Sequence, residues 1–262
     1  MSRALIALPI ALMVAAPAAS AQASNDESRL VVGILGGWIG GSELWSTTQP
    51  VFAIGNRTDQ FLLVRDMRAN ITMLGQMTYF PSPGFGWTGE ISYIGLGTRD
   101  GCRLQVDNGD EFNQAACAAI DTRDRAASAV TASAGIVLRA SSRGDLQPYL
   151  RANVGVALVP RSTTTMTAFF GEDDEFALVI YEEDDSRAAK PLGALSFGLA
   201  TSPRAGYQLR LEARATAVQL QVVTGPAPSG SLTPERGSKW TILPSVAVGL
   251  DIVLEKRRGR RY

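Results

Sequence analysis

The sequence predicts an all-β chain: an eight-stranded antiparallel up-and-down barrel that spans a membrane, with short turns at one end and long loops at the other. Three observations predict it. Long stretches alternate apolar and polar residues with period two. The connections between those stretches are alternately short and long. The chain opens with an export segment, after which no apolar run reaches the roughly 18 residues a membrane-spanning helix needs.

The export segment comes first. Residues 1–23 carry one basic residue, Arg3, then an apolar run from Ala4 to about Ala16, then two overlapping small-x-small sites, Ala19-Ser20-Ala21 and Ala21-Gln22-Ala23. That is the anatomy of a secretory signal peptide. Cleavage is expected after Ala21 or Ala23, leaving residues 24–262 as a single barrel domain. The run is short for a hydrocarbon layer about 30 Å thick.

The strands follow in order. A weak alternating stretch covers Leu30 to Ile39. The clearest early one is Asp66 to Tyr79: Met67, Ala69, Ile71, Met73, Gly75, Met77 and Tyr79 alternate with Asp66, Arg68, Asn70, Thr72, Leu74, Gln76 and Thr78. Trp87 to Tyr93 is the third. Ser128 to Ala140 is the fourth, although its alanines also carry helix propensity. The fifth runs through Tyr149 to Leu158, with Arg151, Asn153 and Gly155 opposite Leu150, Ala152, Val154 and Val156. Leu192 to Ala200 is the sixth. In the seventh, Tyr207 to Ala217, Gln208, Arg210, Glu212, Arg214 and Thr216 alternate with Leu209, Leu211, Ala213 and Ala215. Trp240 to Leu254 is the last.

Residues 81–85, 141–147 and 201–206 are short and rich in Pro, Gly and Ser, as tight turns require. The other connections, near 41–60, 99–126, 160–190 and 219–238, are long. A membrane barrel has this asymmetry, with short periplasmic turns and long extracellular loops. Closure pairs every backbone group, so no sheet edge meets hydrocarbon. The apolar rows then face lipid. The polar rows face the lumen, placing Asp66, Arg68, Glu90, Arg139, Arg151, Arg210, Glu212, Arg214 and Asp251 there as a charge network of both signs, with Gly155, Ala157 and Gly249 leaving room. Tyr79, Trp87, Tyr93, Tyr207 and Trp240 fall near strand ends, where aromatic girdles belong.

The phrases "QPYLRANVGVAL", "GWTGEISYIGLG", "LGALSFGLATSPRAGYQLRLEAR" and "SVAVGLDIVL" resemble the eight-stranded outer-membrane β-barrel proteins of the OmpA/OmpX-like type. The resemblance covers nearly all of the chain after the export segment and rests on pattern. It implies residence in the outer membrane, contact with its lipid, and insertion by the barrel-assembly machinery. The family's insertion signal is a last strand with a glycine followed by alternating bulky residues. Gly249, Ile252 and Leu254 keep that spacing, with aliphatics in place of aromatics, and a basic run, "EKRRGRRY", follows.

Composition narrows the function. Lys and Arg total 25, as do Asp and Glu, so the balance gives no reason to expect nucleic acid. There is no His, which excludes the His-dependent acyl-transfer and phospholipase mechanisms found in some barrels of this class. No catalytic residue, cofactor site or metal site is expected. Cys102 and Cys117 are the only cysteines, and in an oxidising compartment a disulfide is the expected state. Unrelated thiols are the alternative. Glu172, Asp173, Asp174, Glu175, Glu182, Glu183, Asp184 and Asp185 crowd the third long loop. They read as a solvated charge run, with a divalent-cation site as the sharper alternative. The apolar residues 176–181 between the two acidic runs suggest that strands five and six extend above the membrane as a hairpin.

The functional expectation is a non-enzymatic outer-membrane barrel serving envelope structure or surface interaction through its long loops. The alternative is a soluble periplasmic barrel of lipocalin type, whose apolar rows would line a cavity for a small apolar ligand.

Overall fold

The computed structural model describes residues 28–121, 124–125, 128–140, 145–159, 165–171, 176–182, 188–203, 205–229 and 231–256. The expected export segment, residues 1–23, lies outside them. The elements in chain order are β1 (Ser28–Ile39), β2 (Glu43–Ala53), β3 (Arg57–Met67), β4 (Asn70–Ser82), β5 (Phe85–Gly95), β6 (Thr98–Val106), α1 (Glu111–Asp121), β7 (Asp124–Arg125), β8 (Ser128–Arg139), β9 (Leu146–Val159), β10 (Met166–Phe170), β11 (Phe176–Tyr181), β12 (Ala188–Thr201), β13 (Tyr207–Gly225) and β14 (Glu235–Lys256).

Eight of these strands close on themselves in the order β1-β14-β13-β12-β9-β8-β5-β4, and all the pairings are antiparallel. Each expected strand is present. β8 is a strand despite its alanines, because its register with β5 and β9 places Thr131 and Val137 inward and Ala132 and Ala134 outward. Pairing on both edges overrides helix propensity there.

The long connections hold most of the structure the sequence did not announce. β2, β3, β6 and β7 form a second, four-stranded sheet. Residues 176–181 are β11, which pairs with β10 in a separate two-stranded sheet and, contrary to expectation, does not extend strands five and six, β9 and β12. The helix α1 lies in the second long connection. Asp110 caps it by accepting from the backbone N–H groups of Phe112 and Asn113. Its buried face is Asn113, Ala116, Cys117 and Ile120, the spacing of one helical stripe.

The stretch from Asp66 to Tyr79 is two strands and not one. β3 ends at Met67 and β4 begins at Asn70. At the break, the backbone N–H of Met67 donates to Ser42 and that of Arg68 donates to Gly97, so the chain leaves one sheet for the other. The alternation continues across the break, but its meaning reverses. In β3 the odd positions Phe61, Leu63 and Met67 are buried. In β4 the odd positions Ile71, Met73 and Met77 are more than half exposed, while Thr72, Leu74, Gln76 and Thr78 are buried. Apolar residues point inward where the surrounding medium is water and outward where it is lipid. Asp66 and Arg68 are therefore not lumen residues. Both are exposed on the water side of that border.

One large core lies at the end of the barrel bearing the long connections. It joins inward residues at the tops of barrel strands (Ile39, Ile94, Ala129, Ala157, Leu192, Val218 and Leu243) to Leu44, Trp45, Phe61, Leu63, Met67, Leu96, Ile120, Met166, Ile180, Tyr181 and Ala227 of the connections. The described parts of the long connections thus fold together as a cap over that mouth of the barrel. At the other end a smaller apolar cluster, Val31, Phe80, Val137, Tyr149, Ala200 and Val253, fills the lumen.

Candidate functional site

Two regions carry the chemistry: the charged lumen and the cap. In the lumen, Arg151 lies 3.3 Å from Glu212 and 3.6 Å from Glu90, and it also donates to Gln76. Arg214 is 2.7 Å from Glu90, and Arg210 is 2.9 Å from Asp251. Tyr149 donates to Glu212 at 2.7 Å, Asn153 to Glu90 at 3.3 Å and Gln208 to Asp251 at 3.1 Å. Three guanidinium groups thus face three carboxylates, each side chain at most 8 % exposed. Charges this buried persist because each has an oppositely charged partner, and the carboxylates of Glu212, Glu90 and Asp251 accept further hydrogen bonds. Arg139 stands apart, toward the short-turn end, 3.6 Å from the centre of the Phe80 ring.

Close approach of backbone makes space for the network. A side chain at Gly198 would occupy the place of the Tyr149 ring, and one at Gly33 would collide with the Asp251 carboxylate. The sequence reading named Gly155 and Gly249 but missed these two, which only strand register reveals. The space left among Thr78, Tyr149, Arg151, Gln208, Arg210 and Asp251 is about 20 Å³. That is room for about one water molecule.

Outside, the pattern inverts. Ile34, Ile71, Met73, Ile91, Val154, Leu195, Phe197, Leu211, Ile242, Val248 and Leu254 are among the large apolar side chains on the exterior. Val154 is 72 % exposed and Arg151 2 %. In water such a surface would be untenable, and among the described residues these rows face outward and line no enclosed cavity for an apolar ligand. The lipocalin-type alternative is thereby overturned. The chain is a membrane-spanning eight-stranded barrel. Closed, polar-filled barrels with an apolar belt are the architecture of small outer-membrane proteins. Tyr79, Trp87 and Tyr207 lie exposed toward the short-turn end, and Trp38 and Trp240 toward the long-loop end, as interfacial girdles do.

No protein-family model matches the chain, and no curated protein matches it in sequence. Among solved structures it is similar to Neisserial surface protein A (8% identity, TM-score 0.42, covering 86% of this chain and 97% of that one). It is also similar to the outer membrane protein AlkL in lipid bilayers (14%, 0.46, 93% and 97%). A third is Ail, the attachment invasion locus protein of Yersinia pestis (11%, 0.31, 86% and 98%). Identities this low carry no function across.

The cap is tied together by buried polar contacts between connections that are distant in sequence. Arg65 of β3 forms a two-pronged pair with Asp100 of β6, at 2.5 and 2.8 Å, and donates to the Thr165 carbonyl before β10. Gln49 of β2 accepts from the Tyr181 hydroxyl and from the Ala227 backbone N–H. Through these two residues the four long connections meet. Asp59 is buried and accepts from the side chains of Asn113 and Asn108 and from the Asn108 backbone. Asp110 holds Ile54 N–H while capping α1.

Cys102 of β6 and Cys117 of α1 form a disulfide. It fastens the helix to the second sheet and lies above the membrane. With a sequence separation of 15, closing the loop contributes about 3 kcal/mol by chain-entropy arithmetic. Replacing both cysteines by Ser is expected to make residues 96–127 protease-sensitive and leave the barrel folded, as judged by heat-modifiable gel mobility. Loss of the folded gel form would show that the cap and barrel are one cooperative unit.

Hydrogen bonding from the Asn113 side chain, with those from Asn108, holds the Asp59 carboxyl below its ordinary value. The stabilisation is therefore present above the ordinary aspartate range, about 3.9, and is lost as pH falls through the lowered folded value. Amide hydrogen exchange near α1 is expected to quicken on acidification below about pH 4, and to lose that dependence in Asp59→Asn. The acidic run is outside the described residues except for Glu182, which is exposed; its backbone N–H donates to Leu232.

Proposed function

We propose that this protein is a non-enzymatic outer-membrane barrel whose folded cap presents a fixed surface to the exterior, and that it is not a conduit. The observation that carries the proposal is the joining of all four long connections over a lumen filled by ion pairs. A transport channel needs a continuous polar path. Here the ion-paired layer lies between the cap core and the periplasmic apolar cluster. A surface module needs rigid exposed groups. Phe52 and Ile54, 81 % and 77 % exposed, project from the β2–β3 turn, and Phe112 projects from the start of α1. They are held by the buried Asp59, Asp110 and Asn113 contacts beneath them. Rigid exposed aromatic and aliphatic side chains are the usual anchors of a binding surface.

On this reading residues 1–23 direct export, and β14, with Gly249, Ile252 and Leu254 in its final turns of alternation, is the segment the barrel-assembly machinery receives. The test is reconstitution in a planar bilayer. The folded protein is expected to give no stepwise conductance. In intact cells, Phe52→Cys is expected to react with a membrane-impermeant maleimide while Ser82→Cys does not. Reproducible single-channel steps, or protection of Phe52→Cys, would overturn the proposal.

A further inference from the structure

The border of the apolar belt at the long-loop end is not level. Between β1 and β4 it lies at Trp38 and Ile71, which are partners in register. Beyond Ile71 the chain reaches Asn70 and the exposed Arg68. Trp38 is also in register with Val246 of β14, and there the outward row does not end. Pro244, Ile242 and Trp240 continue it, all exposed. The surface turns polar only at Gln219, opposite Trp240, and at Ser238, which accepts from Gln219 at 2.9 Å. Six residues separate Val246 from Trp240, about 20 Å along the strand and roughly 12 Å of height above Trp38 once strand tilt is allowed for. The short-turn end has no such step. Tyr79 pairs with Leu30, and Tyr207 pairs with Ile252, itself opposite Val32, so the two tyrosine rows cross β1 two residues apart. The belt is therefore about 30 Å tall at β13 and β14 and about 20 Å at β4, against about 25 Å for barrels of this kind.

We infer that lipid climbs the β13–β14 face at the long-loop end: acyl chains cover Ile242 and reach the Trp240 ring, so the hydrocarbon layer is thicker on that side of the barrel than beside β4. Two features select lipid as the occupant. The outward row from Leu254 to Trp240 carries no polar side chain and is continuous with the face already in hydrocarbon. Pro244, Ile242 and Trp240 also expose too little for a protein partner, on the order of 300 Å² against roughly 800 Å² per partner in a stable contact. A bilayer thickens locally beside a long apolar span and thins beside a short one. Trp240 then sits at headgroup level, where an indole ring is at home. This holds whatever the cap binds.

The test labels Ile71→Cys and Ile242→Cys, one at a time, with a nitroxide in the full chain, whose native cysteines stay in their disulfide. Each protein is folded into dioleoylphosphatidylcholine vesicles, and folding is checked by heat-modifiable mobility. Collision with oxygen and with a water-soluble nickel chelate reports depth. The Ile242 label is expected to show the higher oxygen-to-nickel ratio, although it stands higher on the barrel than Ile71. A level membrane gives the reverse order. In thinner dilauroylphosphatidylcholine vesicles the Ile242 label is expected to gain nickel access, while the Ile71 label changes little. Should Ile242→Cys fail to fold, quenching of native Trp240 by lipid brominated high on its acyl chains, read as the difference from Trp240→Phe, decides instead, and quenching is expected. A higher ratio at Ile71, shielding of the Ile242 label from both reagents as by a second copy, an equal response of the two labels to bilayer thickness, or absence of Trp240 quenching would each overturn the inference.

Discussion

Arg151→Ala is expected to destabilise the folded barrel by about 3–5 kcal/mol, the cost of leaving buried charge without its partner. Arg151 is the centre of the lumen network, meeting Glu90, Glu212 and Gln76. Its removal leaves Glu212 with the Tyr149 hydroxyl and Glu90 with Arg214 and Asn153. A urea titration of the reconstituted protein, followed by tryptophan fluorescence, measures the loss. Asp66→Asn and Arg68→Gln supply the contrast. Both residues are exposed outside the lumen, and each change is expected to stay within about 0.5 kcal/mol. A large effect at Asp66 or Arg68 would return them to the network.

Leu211→Arg is expected to cost about 2–4 kcal/mol, the penalty for a guanidinium on the lipid face near mid-bilayer. Leu211 faces outward on β13, between Leu199 of β12 and Val248 of β14. Leu211→Phe keeps the surface apolar and is expected to be nearly neutral. The same titration checks both. A neutral Leu211→Arg would mean that this face meets water and not lipid.

Much of the barrel was legible because period-two patterning survives whichever medium lies outside. β4, β9 and β13 could be read residue by residue, and the lumen positions of Glu90, Arg151, Arg210, Glu212, Arg214 and Asp251 followed from parity. Parity does not reveal a change of medium. Met67 and Ile71 share a parity and a chemistry, yet one is packed in the cap core and the other faces lipid. Asp66 and Arg68 were misplaced for that reason. The break at Arg68–Ala69 depends on backbone contacts to Ser42 and Gly97, which are remote in sequence.

The cap was the larger omission. α1 could have been found, since Asp110 precedes an alanine-rich stretch in which Asn113, Ala116, Cys117 and Ile120 keep helical spacing. The second sheet was harder to see. β2 has a mixed burial pattern, and the Arg65–Asp100 pair joins residues that look like ordinary loop charges in the sequence. The disulfide expectation was sound because it needed only composition and compartment, whereas its role needed α1 and β6 in place.

A membrane-spanning barrel requires above all that the apolar rows face outward. Spin labels placed one at a time along β4, from Ile71 to Thr78, in protein reconstituted in lipid vesicles, test this directly by collision with oxygen, which concentrates in hydrocarbon, and with a water-soluble nickel chelate. Labels at Ile71, Met73, Gly75 and Met77 are expected to collide freely with oxygen. Labels at Thr72, Leu74, Gln76 and Thr78 are expected to be shielded from both reagents, giving a period-two oscillation along the strand. Oxygen access at the even positions with shielding at the odd ones, or no oscillation at all, would contradict a lipid-embedded barrel with a closed, ion-paired interior.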